Sequence, residues 1–320
     1  MKISSNWTIR DPLTIARAAR LACEWEATAF KPGNVHPHAR FDDLTYDDFL
    51  RSAAAIEPIF ARLDHPTLPE NPRGGLGLGL GLGRLVLDAV VATRGVVATN
   101  TNLGILLLIA PLALVPTGEN LAEGVGRVLD HANERDAAAI FEAIRRAQPG
   151  GLGRGEDYGL PEGFDVTCAT PSGPTASLDQ AMRAASHRDA IARQYSERFA
   201  DLFAFGLPRL ARDVQRGRPL PQAITLNALA WQAAFPDTLI QRKRGLSVAL
   251  EASRRAREVL ESGWPDRSEA HSSLTGFDAW LRADGHARNP GATADLVAAT
   301  LFAALRLGLL GDDPGRFTLA

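Results

Sequence analysis

Apolar residues recur every three to four positions through most of the 320-residue chain, which is the spacing of amphipathic helices. Alternating runs rich in β-branched residues are few, so the pattern predicts an all-α fold. We expect a single large globular multi-helix domain over residues 1–320. Beyond the first two helices, the pattern predicts helices over residues 84–98, 103–115, 120–132, 134–147, 176–185, 188–204, 220–235, 245–262 and 290–309.

The first two predicted helices have recognisable starts. Asp11 suits an N-cap and Pro12 suits the first helical position, and the helix should end near Phe30, where a Pro-Gly pair follows soon after. The second helix should start at Thr45, whose hydroxyl can cap it while Asp48 fills an approximate capping-box role.

Two glycine-rich stretches separate predicted helices. Residues 74–83 read GGLGLGLGLG, but no strand precedes them and no GK[ST] follows. We therefore expect a flexible loop that leads into a helix, and not a phosphate loop. Residues 150–173 form the other loop-rich stretch, which fits either a lid over a site or an exposed surface loop.

Composition narrows the class of protein. With 45% hydrophobic and 22% charged residues, the chain can build a full core without disulfides. Its two cysteines, Cys23 and Cys168, fit no bridging or zinc pattern, so a reducing, cytoplasmic setting is expected. The N-terminus lacks a signal-peptide pattern, and the longest apolar run, 103–115, is well short of the ~20 residues that span a bilayer. Membrane insertion is not expected, and nothing in the sequence indicates an oligomeric state.

The charge balance directs attention to local sites. A formal net charge of −2 gives no overall attraction to nucleic acid, so an anion site has to be sought locally. Only three of the 35 basic residues are lysines, namely Lys2, Lys31 and Lys243. In a chain this rich in arginine, a retained lysine suits a place where a compact ammonium contacts a phosphate, and chance is the alternative explanation.

The first cluster of chemically useful residues follows the first predicted helix, in the segment KPGNVHPHARFDD. A lysine beside several carboxylates suits a triphosphate carried by Mg²⁺, because oxygen ligands hold the metal while the ammonium takes residual phosphate charge. Asp47 and Asp48 fit the N-terminus of the second helix better than a site. His36 and His38 form an H-x-H pair, which is a weak zinc signal without further ligands, so magnesium is the expected metal.

Three more polar clusters lie between apolar segments. Residues 99–104, TNTNLG, precede an apolar helix whose N-terminal amides could hold phosphate or ribose hydroxyls. Residues 235–245, FPDTLIQRKRG, place one acid before three adjacent cations, which indicates either a solvated face or a phosphate site. In residues 288–296, RNPGATADL, Asn289 suits a helix cap and Asp295 falls one to two turns inside that helix.

These four clusters, in this order, resemble the triphosphoribosyl-dephospho-CoA synthase family. The resemblance rests on the segments KPGNVHPHARFDDLTYDDFLRSA, ATNTNLGILLLIAPLA, DTLIQRKRGL and NPGATADLVAATLF. Members of this family are all-α transferases that join the triphosphoribosyl part of ATP to a ribosyl hydroxyl of 3′-dephospho-CoA and release adenine. The resemblance implies the same fold, a role in cofactor biosynthesis, Mg²⁺, ATP as a substrate, and nucleotide and CoA-like partners.

The resemblance also implies roles for individual residues. Lys31 and Asn34 would line the triphosphate site, and Asp43 and Asp237 would bind Mg²⁺ at the reacting centre. Displacement of adenine from C1′ needs a base for the incoming hydroxyl, which Asp43 or His36 could supply. Further contacts to substrate would come from Asn100 and Asn102, and to its phosphates from Arg242, Lys243 and Arg244.

One segment departs from the family pattern and leaves alternatives open. The citrate-lyase type carries NTHKG where residues 100–104 read NTNLG, so a basic pair is replaced by neutral residues. This is similar to a divergent branch of the family, and the acceptor could be a related cofactor precursor, for example in the pathway of a methanopterin-like C1 carrier. A Mg²⁺-dependent ADP-ribose-type hydrolase and a non-catalytic nucleotide-binding accessory protein are the other candidates. If the resemblance extends to the site, seven residues that are distant in sequence should border one cleft, namely Lys31, Asn34, Asp43, Asn100, Asn102, Asp237 and Arg244.

Overall fold

The computed structural model describes residues 7–10, 13–64, 81–151 and 176–312. Within these ranges the chain forms fourteen α-helices, which confirms the predicted all-α class. Shorter elements are 3₁₀ turns at Ala61–Leu63 and Ser268–Ala270, a π-helical turn at Leu202–Gly206 and an extended segment at Ala283–His286. In chain order the helices are α1 (Ile15–Thr28), α2 (Tyr46–Phe60), α3 (Leu82–Arg94), α4 (Leu103–Ala113), α5 (Leu121–Asp130), α6 (Glu134–Ala147), α7 (Leu178–Ala185), α8 (Ala190–Ser196), α9 (Leu207–Gln215), α10 (Leu220–Ala234), α11 (Thr238–Arg244), α12 (Leu246–Glu261), α13 (His271–Arg282) and α14 (Gly291–Arg306).

The start of α2 follows the local sequence signal. Thr45 Oγ1 accepts a hydrogen bond from the Asp48 amide at 3.4 Å, and the Asp48 carboxylate accepts one from the Thr45 amide at 2.9 Å. The predicted capping box is therefore confirmed. Of the two glycine-rich stretches, residues 74–80 and 152–173 lie outside the described residues, and α3 begins at Leu82.

The start of α1 differs from the prediction. The helix begins at Ile15 with Thr14 as its N-cap, so the assignment of Asp11 as the cap is wrong, and Asp11 itself lies outside the described residues. The Asp64 carboxylate accepts hydrogen bonds from the Ile15 amide at 2.6 Å and the Ala16 amide at 3.2 Å. These first-turn donors are thus satisfied by a residue beyond α2, which no local pattern reveals.

The predicted helix over residues 188–204 is interrupted. α8 ends at Ser196, and Arg198 and Phe199 adopt left-handed backbone angles with φ of 52° and 61° before the π-helical turn begins. The buried side chain of Gln194 spans the interruption, because its Oε1 accepts a hydrogen bond from the Leu202 amide at 3.3 Å. Two helices that were not predicted, α11 and α13, lie farther along the chain.

α4 and α14 form the centre of the main core. Every residue of α4 except Gly104 is buried, as are most residues of α14. Gly104 lies against Asp295 near the start of both helices, whereas Arg306 at the end of α14 reaches the carbonyl groups at the end of α4. The two helices therefore run parallel, with their N-termini side by side.

A buried arginine caps the C-terminal end of α4. The Arg306 guanidinium is 1% exposed and donates hydrogen bonds to the carbonyl oxygens of Leu112 at 3.3 Å, Ala113 at 3.1 Å and Val115 at 2.9 Å. The last carbonyl groups of a helix have no partner within it, and a cation is favoured beside them. Arg306 therefore allows α4 to end inside the core.

A buried tyrosine compensates for a proline inside α4. Pro111 has no amide hydrogen, so the Leu107 carbonyl four residues earlier loses its intrahelical donor. The hydroxyl of Tyr195 in α8 donates to that carbonyl at 2.6 Å, in a fully buried position. α8 is thereby joined to α4 by a hydrogen bond as well as by apolar packing.

A second, smaller core cluster lies among α10, α11, α12 and α13, and includes Leu229, Ile240 and Phe277. This cluster holds α11, which carries the basic run at residues 242–244, against the neighbouring helices. Among the helices that the structure describes, none combines the length and apolar character needed to cross a membrane.

The proline–tyrosine pair yields a stability prediction. Replacing Tyr195 with phenylalanine leaves the buried Leu107 carbonyl without a donor, so the free energy of unfolding should fall by about 1–3 kcal/mol. Tyr46→Phe is a matched control, because the Tyr46 hydroxyl contacts Thr28 Oγ1 at 2.8 Å in a partly exposed place where water can substitute. Denaturant unfolding of both variants measures the difference.

A double-mutant cycle isolates the cause. In a Pro111→Ala background, residue 111 regains an amide hydrogen for the Leu107 carbonyl. The additional cost of Tyr195→Phe should then be clearly smaller. An equal cost in both backgrounds would assign the effect to packing of the ring and contradict the proposed compensation.

Candidate active site

A cavity of about 590 Å³ opens at the N-terminal ends of α4 and α14. Apolar side chains of α6 and α7, including Phe141, Ile144 and Met182, form part of its wall. The rest of the wall is rich in charged and amide side chains. These are Glu26, Asn34, Asp43, Arg94, Asn100, Asn102, Gln148, Arg188, Asp189, Arg242, Lys243, His286, Asn289 and Asp295.

All four sequence clusters contribute to this one cavity. Of the predicted site residues, the structure brings together Asn34, Asp43, Asn100, Asn102, Arg242 and Lys243. The other four, Lys31, His36, Asp237 and Arg244, are not part of its lining. The expected convergence on one cleft is therefore seen for Asn34, Asp43, Asn100 and Asn102, but not for Lys31, Asp237 and Arg244.

Lys31 lies behind the cavity wall and is 1% exposed. Its ammonium forms an ion pair with Glu26 Oε1 at 3.0 Å and donates to the carbonyl oxygens of Ala29, at 3.1 Å, and of Glu26. These contacts neutralise the charge of Lys31 and use its hydrogen-bond donors. Lys31 therefore holds an acidic side chain of the cavity and does not itself reach into it.

Asp237 is the N-cap of α11 and is 2% exposed. One carboxylate oxygen accepts from the amides of Leu239 at 2.9 Å and Ile240 at 3.1 Å, and the other accepts from the Thr293 amide at 2.7 Å and hydroxyl at 2.8 Å. Burial raises the pKa of Asp237, and these hydrogen bonds oppose that shift. Both oxygens are engaged within the protein, where they tie α11 to α14.

His36 packs within the turn that follows α1. Its ring makes an edge-to-face contact with Phe30 at a centroid distance of 5.1 Å, and its Nδ1 accepts from the His38 amide at 3.3 Å. Burial, with a smaller effect of the nearby Arg282 charge, lowers the pKa of His36 to about 4. A neutral, packed imidazole outside the cavity lining suits a structural role in this turn.

The three adjacent cations at the end of α11 have different partners. Arg242 pairs with Asp189, the N-cap of α8, at 2.5 Å. Arg244 pairs with Asp284 at 2.7 Å, outside the cavity lining. Lys243 lines the cavity, and no carboxylate in the described ranges forms an ion pair with its ammonium. Burial lowers the pKa of Lys243.

Asp43 and Lys243 meet at the cavity rim through His286. Asp43 Oδ1 lies 3.1 Å from His286 Nδ1, and the Lys243 ammonium donates to the His286 carbonyl oxygen at 3.2 Å. The Asp43 side chain is 55% exposed. The rim thus presents one accessible carboxylate and one ammonium close together.

The TNTNLG segment shapes the start of α4. Asn102 is the N-cap of α4, and Asn100 Oδ1, two residues earlier, accepts a hydrogen bond from the Leu103 amide in the first turn at 3.1 Å. The side-chain nitrogen Nδ2 of Asn102 donates to Thr93 Oγ1 at 3.0 Å, and this asparagine is only 5% exposed. Each asparagine has one amide atom fixed by the fold, and both side chains line the cavity.

Three acidic residues of the wall, Glu26, Asp189 and Asp295, were not predicted as site residues. Asp295 approaches α4 so closely that a Cβ atom on Gly104 would lie 2.0 Å from Asp295 Oδ2, so only glycine fits at that position. Burial raises the pKa of Asp295 well above the ordinary aspartate value, and the charge of Glu26 adds to the shift. One sequence signal could have identified Glu26. It is an acidic residue four positions after Ala22, and so lies on the otherwise apolar face of α1.

Within the ranges that the structure describes, no three side chains of His, Cys, Asp or Glu are grouped so that they could hold a metal ion. A Mg²⁺ site built mainly from substrate oxygens would need only one or two carboxylates.

Comparisons with known proteins agree with the geometry. The chain matches the CitG family, described as ATP:dephospho-CoA triphosphoribosyl transferase, over residues 12–313. It is similar in structure to a protein from Archaeoglobus fulgidus described as a triphosphoribosyl-dephospho-CoA synthase, with a TM-score of 0.57 and 23% sequence identity. That similarity covers 82% of this chain and 100% of the other, and shows a shared fold. No curated protein sequence gives a match.

The family match extends over almost the whole chain and includes all four clusters that meet at the cavity. This chain is therefore a transferase that belongs to the ATP:dephospho-CoA triphosphoribosyl transferase family.

Proposed function

We propose that the reaction of the family takes place in the cavity at the N-termini of α4 and α14. ATP would be the triphosphoribosyl donor, and 3′-dephospho-CoA or a related cofactor precursor would be the acceptor. The observation that carries the proposal is the meeting of four polar clusters, distant in sequence, at one wall. Cations, carboxylates, amides and apolar side chains border the same space, as a nucleotide with phosphates, sugar and base requires.

The polar part of the wall suits the triphosphate. The parallel helices α4 and α14 direct the positive ends of their dipoles toward the cavity, which favours anions. Asn34 and Asn102, which are 7% and 5% exposed, are part of this wall. Lys243 adds an ammonium at the rim. A phosphate chain placed here would meet both hydrogen-bond donors and positive charge.

The apolar part of the wall suits the uncharged parts of the substrates. Phe141 and Ile144 of α6 and Met182 of α7 offer ring and aliphatic surface to the cavity. A purine base or a pantetheine arm would bury apolar area there. Holding donor and acceptor in one enclosed space would align C1′ of the ATP ribose with the acceptor hydroxyl.

Magnesium is part of the proposal. Asp43 fits a Mg²⁺ ligand, because its carboxylate is accessible at the rim beside the proposed triphosphate position. Asp237 does not fit, because both of its oxygens accept hydrogen bonds within the protein. Bound with the triphosphate, Mg²⁺ would neutralise phosphate charge and fix the chain of phosphates.

The start of α4 bears on the choice of acceptor. At the positions where the citrate-lyase type has histidine and lysine, this chain places Asn102 and Leu103, and both line the cavity. We infer that the acceptor groups near the start of α4 are either neutral or are bound by hydrogen bonds and not by a positive charge. 3′-Dephospho-CoA, which carries a diphosphate, and ribosyl compounds that lack this diphosphate are therefore the first acceptors to compare.

Product analysis tests the proposed reaction. Incubation with ATP, Mg²⁺ and 3′-dephospho-CoA should release free adenine and form an adduct that carries the triphosphoribosyl group, as seen by mass spectrometry. Adenine release should depend on the acceptor. Release of adenine with free triphosphoribose, at the same rate with and without acceptor, would indicate a hydrolase and contradict the proposal.

Lys243 and Arg244 offer a matched pair of variants. Lys243→Met removes the ammonium that lines the cavity, so ATP affinity should fall roughly ten- to a hundredfold, as expected for one charge-assisted phosphate contact. Arg244→Met removes a neighbouring cation that pairs with Asp284 elsewhere, so ATP affinity should stay near the native value. Isothermal titration measures both, and equal losses would show that α11 acts only through its net charge.

Asp43 and Asp42 offer a second matched pair, for the metal. With ATP present, added Mg²⁺ should raise the melting temperature, because the metal binds the folded complex. Asp43→Asn should remove most of that Mg²⁺-dependent rise, whereas Asp42→Asn, on an exposed residue that does not line the cavity, should keep it. A full rise in Asp43→Asn would exclude Asp43 as the ligand.

A further inference from the structure

Two carboxylates of the cavity wall, Glu26 in α1 and Asp295 in α14, have no part in the proposed triphosphate site. Both line the cavity, and the charge of Glu26 acts on Asp295. Both also act on the buried thiol of Cys23 in α1. Two acidic groups that share one side of an enclosed site are the usual means of donating one proton and accepting another at a sugar carbon.

The surroundings of Glu26 suit an ionised carboxylate. Its Oε1 forms an ion pair with the buried Lys31 ammonium at 3.0 Å, which balances its charge within the wall. The Lys31 ammonium is fixed in turn by two main-chain carbonyl oxygens. Glu26 is thus held in place with a compensating charge behind it and the cavity in front.

The surroundings of Asp295 suit a protonated acid. Within the described ranges its carboxyl group has no hydrogen bond and no ion pair, and it packs against the Gly104 backbone. The neighbouring charges are mostly negative, so burial and repulsion raise the pKa of Asp295. The charged groups that act on it are Glu26, Asp189 and Asp237, which oppose its ionisation, and Arg242, which favours it.

We propose that Asp295 is the general acid that protonates the leaving adenine and that Glu26 is the general base for the acceptor hydroxyl. This inference rests on the proposed function and assigns the two proton transfers that the reaction needs. It replaces Asp43 and His36 as candidates for the base with a residue that is enclosed in the cavity wall.

The proposed step balances in atoms and electrons. The acceptor oxygen attacks C1′ of the ATP ribose, and its proton passes to the Glu26 carboxylate. The bond between C1′ and N9 breaks with its electron pair remaining on the purine, while the Asp295 proton passes to a purine ring nitrogen. Neutral adenine leaves, and the net transfer of one proton from Asp295 to Glu26 is reversed through solvent before the next turnover.

A donor that needs no protonation separates the two roles. Methylation of ATP at N7 places a positive charge on the base, so that it leaves as a neutral molecule without an acid. With ATP, Asp295→Asn and Glu26→Gln should each lower kcat about 10²- to 10⁴-fold. With N7-methylated ATP, Asp295→Asn should come within about tenfold of the native enzyme, whereas Glu26→Gln should remain impaired to a similar extent.

Controls distinguish a catalytic loss from a structural one. Glu24→Gln alters an acid on the same helix that pairs with Arg20, and it should leave kcat unchanged. Asp295→Asn should keep the native melting temperature, because it removes a carboxylate without a partner among the described residues, and it should bind ATP with a Kd within about threefold of native.

The outcomes are separable from those of the proposed function. If native protein forms the adduct but Asp295→Asn keeps near-native kcat with ATP, Asp295 is not the acid. If N7-methylated ATP fails to restore Asp295→Asn, or restores Glu26→Gln equally, the division of roles is overturned. A native protein that forms no adduct with either donor would instead contradict the proposed function itself.

Discussion

The burial of all of α4 except Gly104 is the constraint on which the rest of the structure depends. A helix surrounded by apolar side chains has no water to satisfy the backbone groups that its own turns leave open. Here other elements supply the partners: Arg306 of α14 covers the last carbonyl groups, and Tyr195 of α8 covers the carbonyl that Pro111 leaves without a donor. These two long-range contacts, together with apolar packing, thus place α8 and α14 around α4.

The same arrangement determines where the candidate active site lies. Because Arg306 closes the C-terminal end, the polar end that remains is the N-terminal one, and the parallel α14 adds a second N-terminus beside it. The cavity forms where these two ends meet the turn after α1 and the end of α11. Packing in the core and the proposed recognition of an anion therefore both depend on one helix pair, since the dipoles of both helices point the same way.

Sequence patterns predicted the helices well where the signals were local, as at Thr45 and Asp48. They also identified the four clusters, because polar residues between apolar helices are conspicuous. They could not predict the partners of single residues within a cluster: Lys31 meets Glu26, and Asp237 meets Thr293 in α14. These contacts depend on how distant segments pack, and the same is true of Asp295, whose closeness to Gly104 exists only once α4 and α14 lie side by side.

The carboxylate of Asp237 has a mechanical consequence for the cationic rim. α11 is seven residues long, too short to be stable alone, and its first turn is joined through this one side chain to the first turn of α14. Displacement of the whole of α11, with Arg242 and Lys243 at its other end, would therefore break contacts to the helix at the centre of the core. The rim and the core should open as one cooperative unit, so that hydrogen exchange at α11 reports on the unfolding of the whole domain and not on a local fluctuation.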